Sequence, residues 1–160
     1  VPTGPIGEVI AKSTSGTTAY FKNEQKTKET FRNGWCHTED LAYFDEEGYL
    51  FIAGRTKDMI VTGGQNVFAA DVENTLMAHP AVADCAVIGL PDEKWGEIVA
   101  AVIVKKPDAA VKDEDIIAFC RGEIAGFKIP KRIIWSDSNI PRTPTGKVQK
   151  FILVDKYSKK

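Results

Sequence analysis

Histidine, paired cysteine, charge imbalance and long apolar runs are all scarce in this chain of 160 residues, and each scarcity closes off a class of function. Twenty-one basic residues stand against twenty-two acidic ones, for a formal charge of −1, so the electrostatic footprint of a nucleic-acid or anionic-membrane binder is missing. No nucleic-acid partner is expected. The two histidines, His37 and His79, lie at no ligand spacing from each other or from a cysteine, and no metal site is expected. Cys36, Cys85 and Cys120 are odd in number and scattered, which argues against a disulfide framework and against paired thiolate ligands. A reducing cytosol fits that usage, so a cytoplasmic location is expected. The longest apolar runs, A-V-I-G-L and I-V-A-A-V-I-V, fall far short of the ~20 residues of a membrane-spanning helix, and no transmembrane segment is expected. The opening V-P-T-G-P-I-G-E-V has neither an initiator Met nor a basic and apolar leader, and reads as the middle of a longer chain.

What is present suffices for a core. With 43% hydrophobic residues the chain can bury one domain, or a small domain plus a piece of another. G-E-V-I-A-K-S reads as a short strand and N-E-Q-K-T-K-E-T-F as a polar helix. L-A-Y-F and Y-L-F-I-A-G-R flank D-E-E-G, a hairpin signal. From about Lys57 the texture changes. M-I-V-T reads as a strand, G-G-Q-N as a turn, and A-A-D-V-E-N-T-L-M-A-H-P as a helix stopped by Pro80, with Val72, Leu76 and Met77 on one face. Two strands follow, A-D-C-A-V-I-G-L up to Pro91 and E-I-V-A-A-V-I-V, joined by P-D-E-K-W-G. The second is an unbroken apolar run, which predicts cover on both faces. The acids that open D-E-D-I-I-A-F-C-R-G-E-I suit a helix N-terminus, with Ile116, Phe119, Cys120 and Ile124 on one stripe. A last strand, K-R-I-I-W, precedes a polar loop ending in P-R-T-P-T-G-K. The fold class expected is α+β: a small C-terminal domain, 58–160, with a short mixed sheet flanked by helices, preceded over 1–57 by a β-rich remnant of a larger N-terminal domain.

Two motifs invite phosphate chemistry. In P-R-T-P-T-G-K-V a Walker A loop would need Gly where Pro141 stands and Ser or Thr where Val148 stands. The same residues could serve as a P-x-x-P ligand, a pattern of weak specificity. Taken alone, Lys147 reads equally as a solvated surface lysine. The stretch S-T-S-G-T-T, residues 13–18, could cradle phosphate or be an exposed turn.

Company decides between these readings. G-W-C-H-T-E-D-L, then G-R-T-K-D-M-I-V-T-G-G-Q-N-V, then P-R-T-P-T-G-K occur in that order, with a compact domain between the last two. The ordered trio resembles the C-terminal portion of the adenylate-forming superfamily, which includes acyl- and aryl-CoA ligases, peptide-synthetase adenylation domains and beetle luciferases. That family carries a phosphate loop of the kind T-S-G-T-T-G-x-P-K-G, but far upstream of its T-G-D motif. Here Thr18 is followed by A-Y-F-K-N-E-Q, and residues 6–23 resemble the strand and turn just before T-G-D. The phosphate-loop reading of 13–18 is rejected.

The resemblance implies roles residue by residue. Asp40 matches the T-G-D aspartate that accepts hydrogen bonds from the ribose hydroxyls of ATP or of the acyl-adenylate, although a turn-capping Asp would look the same. Glu39 departs from the pattern, standing where Gly is usual, and would crowd the loop or add a carboxylate near the nucleotide. Arg55 matches an arginine on the ribose and phosphate side; a plain ion pair beside a hairpin is its other reading. Lys57 falls at the hinge between the large and small domains. Gly63 and Gly64 match a loop lining the pantetheine tunnel, where glycines let a thin acceptor pass, or form an ordinary β-turn. Lys147 matches the lysine that contacts substrate carboxylate and phosphate oxygens during adenylation. Phe127 and Lys128, with Lys131 and Arg132 nearby, are candidates for the nucleotide end of CoA.

The function so implied is that of an ATP-dependent acid–CoA ligase, AMP-forming, using ATP, CoA and Mg2+ on a small-molecule carboxylic acid, fatty, aromatic or alicyclic, and needing the missing N-terminal domain for activity. Loading of a carrier-protein thiol is the alternative within the superfamily. A non-catalytic interaction module is the alternative outside it.

Overall fold

The computed structural model describes residues 4–158, which fall into two compact units, one ending at Lys57 and the other beginning at Asp58.

The first unit is a sheet built around one long strand. Its elements are β1 (Gly7–Ala11), α1 (Glu24–Thr30), β2 (Phe31–Arg32), β3 (Trp35–Phe44) and β4 (Leu50–Arg55). β3 pairs antiparallel with each of β1, β2 and β4. Asn23 starts α1 by accepting from the Lys26 N–H at 2.9 Å, the usual N-cap device. The expected hairpin joins β3 to β4. Asp45 Oδ1 accepts from the Glu47 and Tyr49 N–H groups at 3.0 and 2.8 Å, and Gly48 takes the left-handed φ of +85° that closes the loop. Residues 13–18 form an exposed irregular turn, in which Ser13 Oγ accepts from the Ser15 N–H at 3.2 Å. The unit has almost no interior: Thr30 and Ala42 are its only buried residues among those described, while Tyr49 just before β4 and Leu50, Phe51 and Ile52 within it stand exposed.

The second unit holds the core. It comprises β5 (Met59–Thr62), β6 (Gln65–Phe68), α2 (Ala69–Ala78), β7 (Val82–Asp92), β8 (Gly96–Lys105), α3 (Asp113–Glu123), β9 (Arg132–Trp135) and α4 (Lys150–Tyr157). The strand order is β6-β5-β8-β7, with β9 beside β8. β9 runs parallel to β8 and the other pairings are antiparallel, so the sheet is mixed.

The apolar run in β8 explains the architecture. Val99, Ala101 and Ile103 face a cluster containing Val72 and Leu76 of α2 and Ile116 and Cys120 of α3. Ala100 and Val102 face the opposite cluster, with Ile140, Leu153 and Tyr157. All five β8 residues are 0–1% exposed. A strand covered on both faces has no use for alternation, which is why the sequence shows none. The result is the expected small α+β domain, a mixed sheet with helices on both sides.

Four local expectations need correction. Met77 is half-exposed and does not share the face of Val72 and Leu76. Five residues past Val72 is about 140° round a helix, so the inward stripe is Ala69, Val72 and Leu76 instead. β7 continues through Pro91, which pairs with Glu97; the strand lies at the sheet edge, where a missing N–H is tolerated. The supposed turn G-G-Q-N is shorter, because Gln65 and Asn66 already belong to β6. α4 follows P-R-T-P-T-G-K directly and the sequence reading did not anticipate it. Its eight residues cover the second face of the sheet through Leu153 and Tyr157.

Candidate functional site

In the first unit, the neighbouring strands β3 and β4 place Asp40 opposite Arg55. Arg55 Nε lies 3.0 Å from Asp40 Oδ1, an ion-pair contact whose angle falls short of a hydrogen bond. Arg55 Nη2 donates to the Thr38 carbonyl at 3.2 Å and lies 3.3 Å from Glu39 Oε2. Lys26 of α1 completes the chain of charges, with Nζ 2.8 Å from Glu39 Oε1.

Glu39 explains itself in this setting. Its φ of +64° is a left-handed conformation that glycine adopts without cost, which is the physical reason for Gly in the commoner form of the motif. Its side chain turns to Lys26 and Arg55 and leaves the Asp40 carboxylate 40% exposed. The hydrogen bond from Lys26 holds the Glu39 carboxyl below its ordinary pKa, against a smaller opposing effect of burial. A depressed carboxyl stabilises the fold fully above its ordinary value, and loses that contribution as pH falls through the lowered one. Glu39 is therefore ionised at neutral pH, where its pairs with Lys26 and Arg55 are in place. Nearby, the hydrogen bond with His37 at 2.8 Å likewise lowers the Glu8 carboxyl.

Lys57 is exposed in a single 3-10 turn, Thr56–Asp58, at the boundary between the units.

In the second unit, Gly63 and Gly64 form the tight turn between β5 and β6, with φ of +56° and +79°. The two differ in their surroundings. A Cβ on Gly63 would lie 2.7 Å from Trp95 Cε3, whereas one on Gly64 would meet nothing within 4 Å. Trp95 sits in the β7–β8 connection, and its carbonyl accepts from the Gly63 N–H at 2.9 Å. The Lys131 ammonium lies 3.5 Å from the centre of the Trp95 ring. Gly63→Ala is expected to destabilise this unit by about 1–3 kcal/mol and Gly64→Ala by less, because both lose the left-handed conformation but only Gly63 also clashes. Thermal melting of the two variants checks the ranking.

The remaining candidates have different surroundings. Phe127 is half-exposed in the 3-10 turn Gly126–Lys128. Lys128 is committed to Asp71 of α2 at 2.7 Å, and Arg132 donates to the Tyr157 carbonyl at 3.4 Å. Lys147 is exposed, and among the described residues no acceptor or carboxylate engages its ammonium. Its backbone is fixed nonetheless: Lys147 N–H donates to Thr143 Oγ1 at 3.1 Å, and its carbonyl accepts from the Thr143 N–H at 2.8 Å.

Two of the three cysteines are buried. Burial drives the Cys85 thiol up to about 12 and raises Cys120 as well, so both stay protonated and unreactive. Among the described residues no group of three His, Cys, Asp or Glu side chains is assembled to hold a metal ion.

Residues 71–147, from the first turn of α2 to the exposed lysine, match the family described as AMP-binding enzyme C-terminal domain. The long-chain-fatty-acid–CoA ligase FadD13 of Mycobacterium tuberculosis is 44% identical over 95% of this chain and 30% of its own length. The chain belongs to the adenylate-forming enzymes, as a C-terminal portion. A 2-succinylbenzoate–CoA ligase of Bacillus cereus is 42% identical over 92% of the chain and 30% of its own length. The crystal structure of ATP-bound MatB from Rhodopseudomonas palustris matches 99% of the chain with a TM-score of 0.89 at 38% identity, over 31% of that structure. The chain thus spans about 30% of the length of these proteins.

Sequence reasoning named Asp40, Arg55 and Lys147 but missed their supports. Lys26, Trp95, Asp84 and Arg142 reach their partners across 13 to 58 positions of chain, and nothing local marks them.

Proposed function

We propose that the whole protein is an AMP-forming acid–CoA ligase and that this portion serves both of its half-reactions. In the first, a carboxylate oxygen attacks the α-phosphorus of ATP, giving an acyl-adenylate and releasing pyrophosphate. In the second, the CoA sulfur attacks the acyl carbon, the thiol proton is lost, and AMP departs. The observation that supports this reading best is the state of Lys147: an ammonium without a partner among the described residues, on a loop whose backbone is held by its own hydrogen bonds. A cation so presented can offset the negative charge that builds up as two anions approach, and it need not first break an ion pair.

The other roles follow from chemistry. Asp40, half-exposed beside Arg55, keeps acceptor capacity for a vicinal diol. Arg55 spends its nearby contacts on Asp40, Glu39 and the Thr38 carbonyl, so its role is to orient these carboxylates on the ribose and phosphate side of the nucleotide. The Gly63–Gly64 turn offers backbone without side chain to a thin acceptor arm. Lys57 is the hinge about which the second unit rotates between the two steps. The described residues include no metal ligand set, so Mg2+ is assigned no step here; it is a companion of the ATP phosphates. The rest of the large domain, upstream, would supply the acid pocket. Among the described residues no helix is long and apolar enough to cross a membrane. The three free cysteines suit a reducing cytosol, where we place the enzyme.

The test is an acceptor assay on the full-length enzyme. Pyrophosphate release should require both ATP and a carboxylic acid, and thioester should form with CoA. Thioester formed on a phosphopantetheinylated carrier protein but not on CoA would replace this reading by carrier loading. Absence of acid-dependent pyrophosphate release across aliphatic and aromatic acids would end it.

A further inference from the structure

The loop that carries Lys147 is a small closed hairpin. Arg142 and Val148 form a β-bridge, Gly146 N–H donates to the Thr143 carbonyl at 2.8 Å, and Gln149 N–H donates to the Pro141 carbonyl at 2.8 Å. These bonds connect the loop to itself. They give it a shape without telling it where to stand. Its base is held by apolar packing, through Ile140 and Val148 against the second face of the sheet. Its tip needs another tether.

β7 supplies one. Its register against β8 shifts between Val82 and Asp84, a bulge of the kind that re-aims a side chain out of the regular alternation. Asp84, so aimed, receives Arg142 in a two-pronged contact, Nη2 lying 2.8 Å from Oδ1 and 2.9 Å from Oδ2. The other arm of the same guanidinium, Nη1, donates to the Gly146 carbonyl at 3.1 Å. One planar group therefore spans the gap from the sheet to the residue just before Lys147.

We propose that Arg142, anchored by Asp84, is a positioning residue for the adenylation half-reaction: it fixes the tip of the 141–148 loop on β7 and so sets where the Lys147 ammonium is delivered. The proposal rests on the assignment of Lys147 to adenylation. The pair is too exposed, at 41% and 31%, to matter much to stability, because exposed ion pairs contribute little. Its value is geometric. A guanidinium can hold a carboxylate and a carbonyl at once in one plane, and an ammonium cannot copy that fork. Positional error at a reacting centre is costly even when the misplaced group lies far from the chemistry.

The experiment separates the two half-reactions in the full-length enzyme, using acid-dependent ATP–pyrophosphate exchange for the first and conversion of supplied acyl-adenylate to CoA thioester for the second. Arg142→Ala and Asp84→Ala should each lower the exchange kcat about tenfold to a hundredfold, with the ATP KM and the thioester step changed by less than about twofold. Both substitutions together should do no more than either alone, since they cut the same tether. Arg142→Lys should not restore the rate. Unchanged exchange in Arg142→Ala, equal loss in both half-reactions, or effects that multiply in the double variant would each overturn the proposal. Lys147→Ala, measured alongside, tells the two ideas apart. If it loses exchange while Arg142→Ala does not, only the tether fails; if it keeps exchange, the assignment of Lys147 fails and the tether falls with it.

Discussion

Lys147→Ala in the full-length enzyme is expected to lower adenylate formation by about two to three orders of magnitude, the usual loss on removing one preorganised group that stabilises transition-state charge. The conversion of supplied acyl-adenylate to thioester should be nearly unaffected. The asymmetry follows from charge. In the first step a carboxylate approaches a polyphosphate, and no neutral side chain can replace the ammonium. In the second step, as proposed, the acyl-adenylate already exists, and the element assigned to that step is the Gly63–Gly64 turn rather than the lysine. The substitution is safe for the fold, because Lys147 is exposed and its backbone bonds do not depend on its side chain. Acid-dependent pyrophosphate exchange and single-turnover thioester formation read the two steps separately. Equal loss in both would mean that Lys147 is not specific to adenylation.

Residues 58–160, expressed alone, should fold cooperatively, whereas residues 1–57 alone should not. The second unit has two apolar clusters on either side of β8, with Leu76, Ile103 and Ile116 fully buried. Each such side chain is worth about 1.5–3 kcal/mol on burial, enough in sum to oppose the entropy of a domain this size. The first unit buries only Thr30 and Ala42 among its described residues, and β4 exposes apolar side chains on both of its faces. A sheet without a cover has no core to stabilise it. Circular dichroism and urea titration of the two pieces give the answer: a sigmoidal transition for 58–160 and none for 1–57. A cooperative transition in 1–57 would show that its strands need no further partner. A flat response from 58–160 would show that its core depends on the residues before Asp58.

The legible parts of this protein were those with local causes. The hairpin between β3 and β4 was readable because Asp45 and Gly48 act within five residues of each other. The unbroken apolar run of β8 announced cover on both faces. The resemblance singled out Asp40, Arg55 and Lys147 by their order along the chain, and the roles given to them are proposals. α4 was missed because its apolar residues pack on a sheet face, and its short span carries no strong pattern of its own. On α2 the apolar Met77 lies off the helical period of Val72 and Leu76, and the buried Ala69 completes the inward face instead. At Glu39 a departure from the family pattern was visible in the sequence. The sequence could not show that the residue takes φ +64° and turns its carboxylate to Lys26 and Arg55.

The order of residues by itself determined the family, the helices and strands of the second unit other than α4 and the start of β6, and the identity of the charged groups, because these depend on local periodicity and on spacing that the chain carries along its length. Only the tertiary structure decided which charges are tied and which are free. Lys128 is held by Asp71, Arg142 by Asp84 and Lys150 by Glu73, while Lys147 has no such partner among the described residues. Whether a lysine is a strut or a reagent depends on what lies within a few ångströms of its nitrogen, and chain folding brings those neighbours from dozens of positions away.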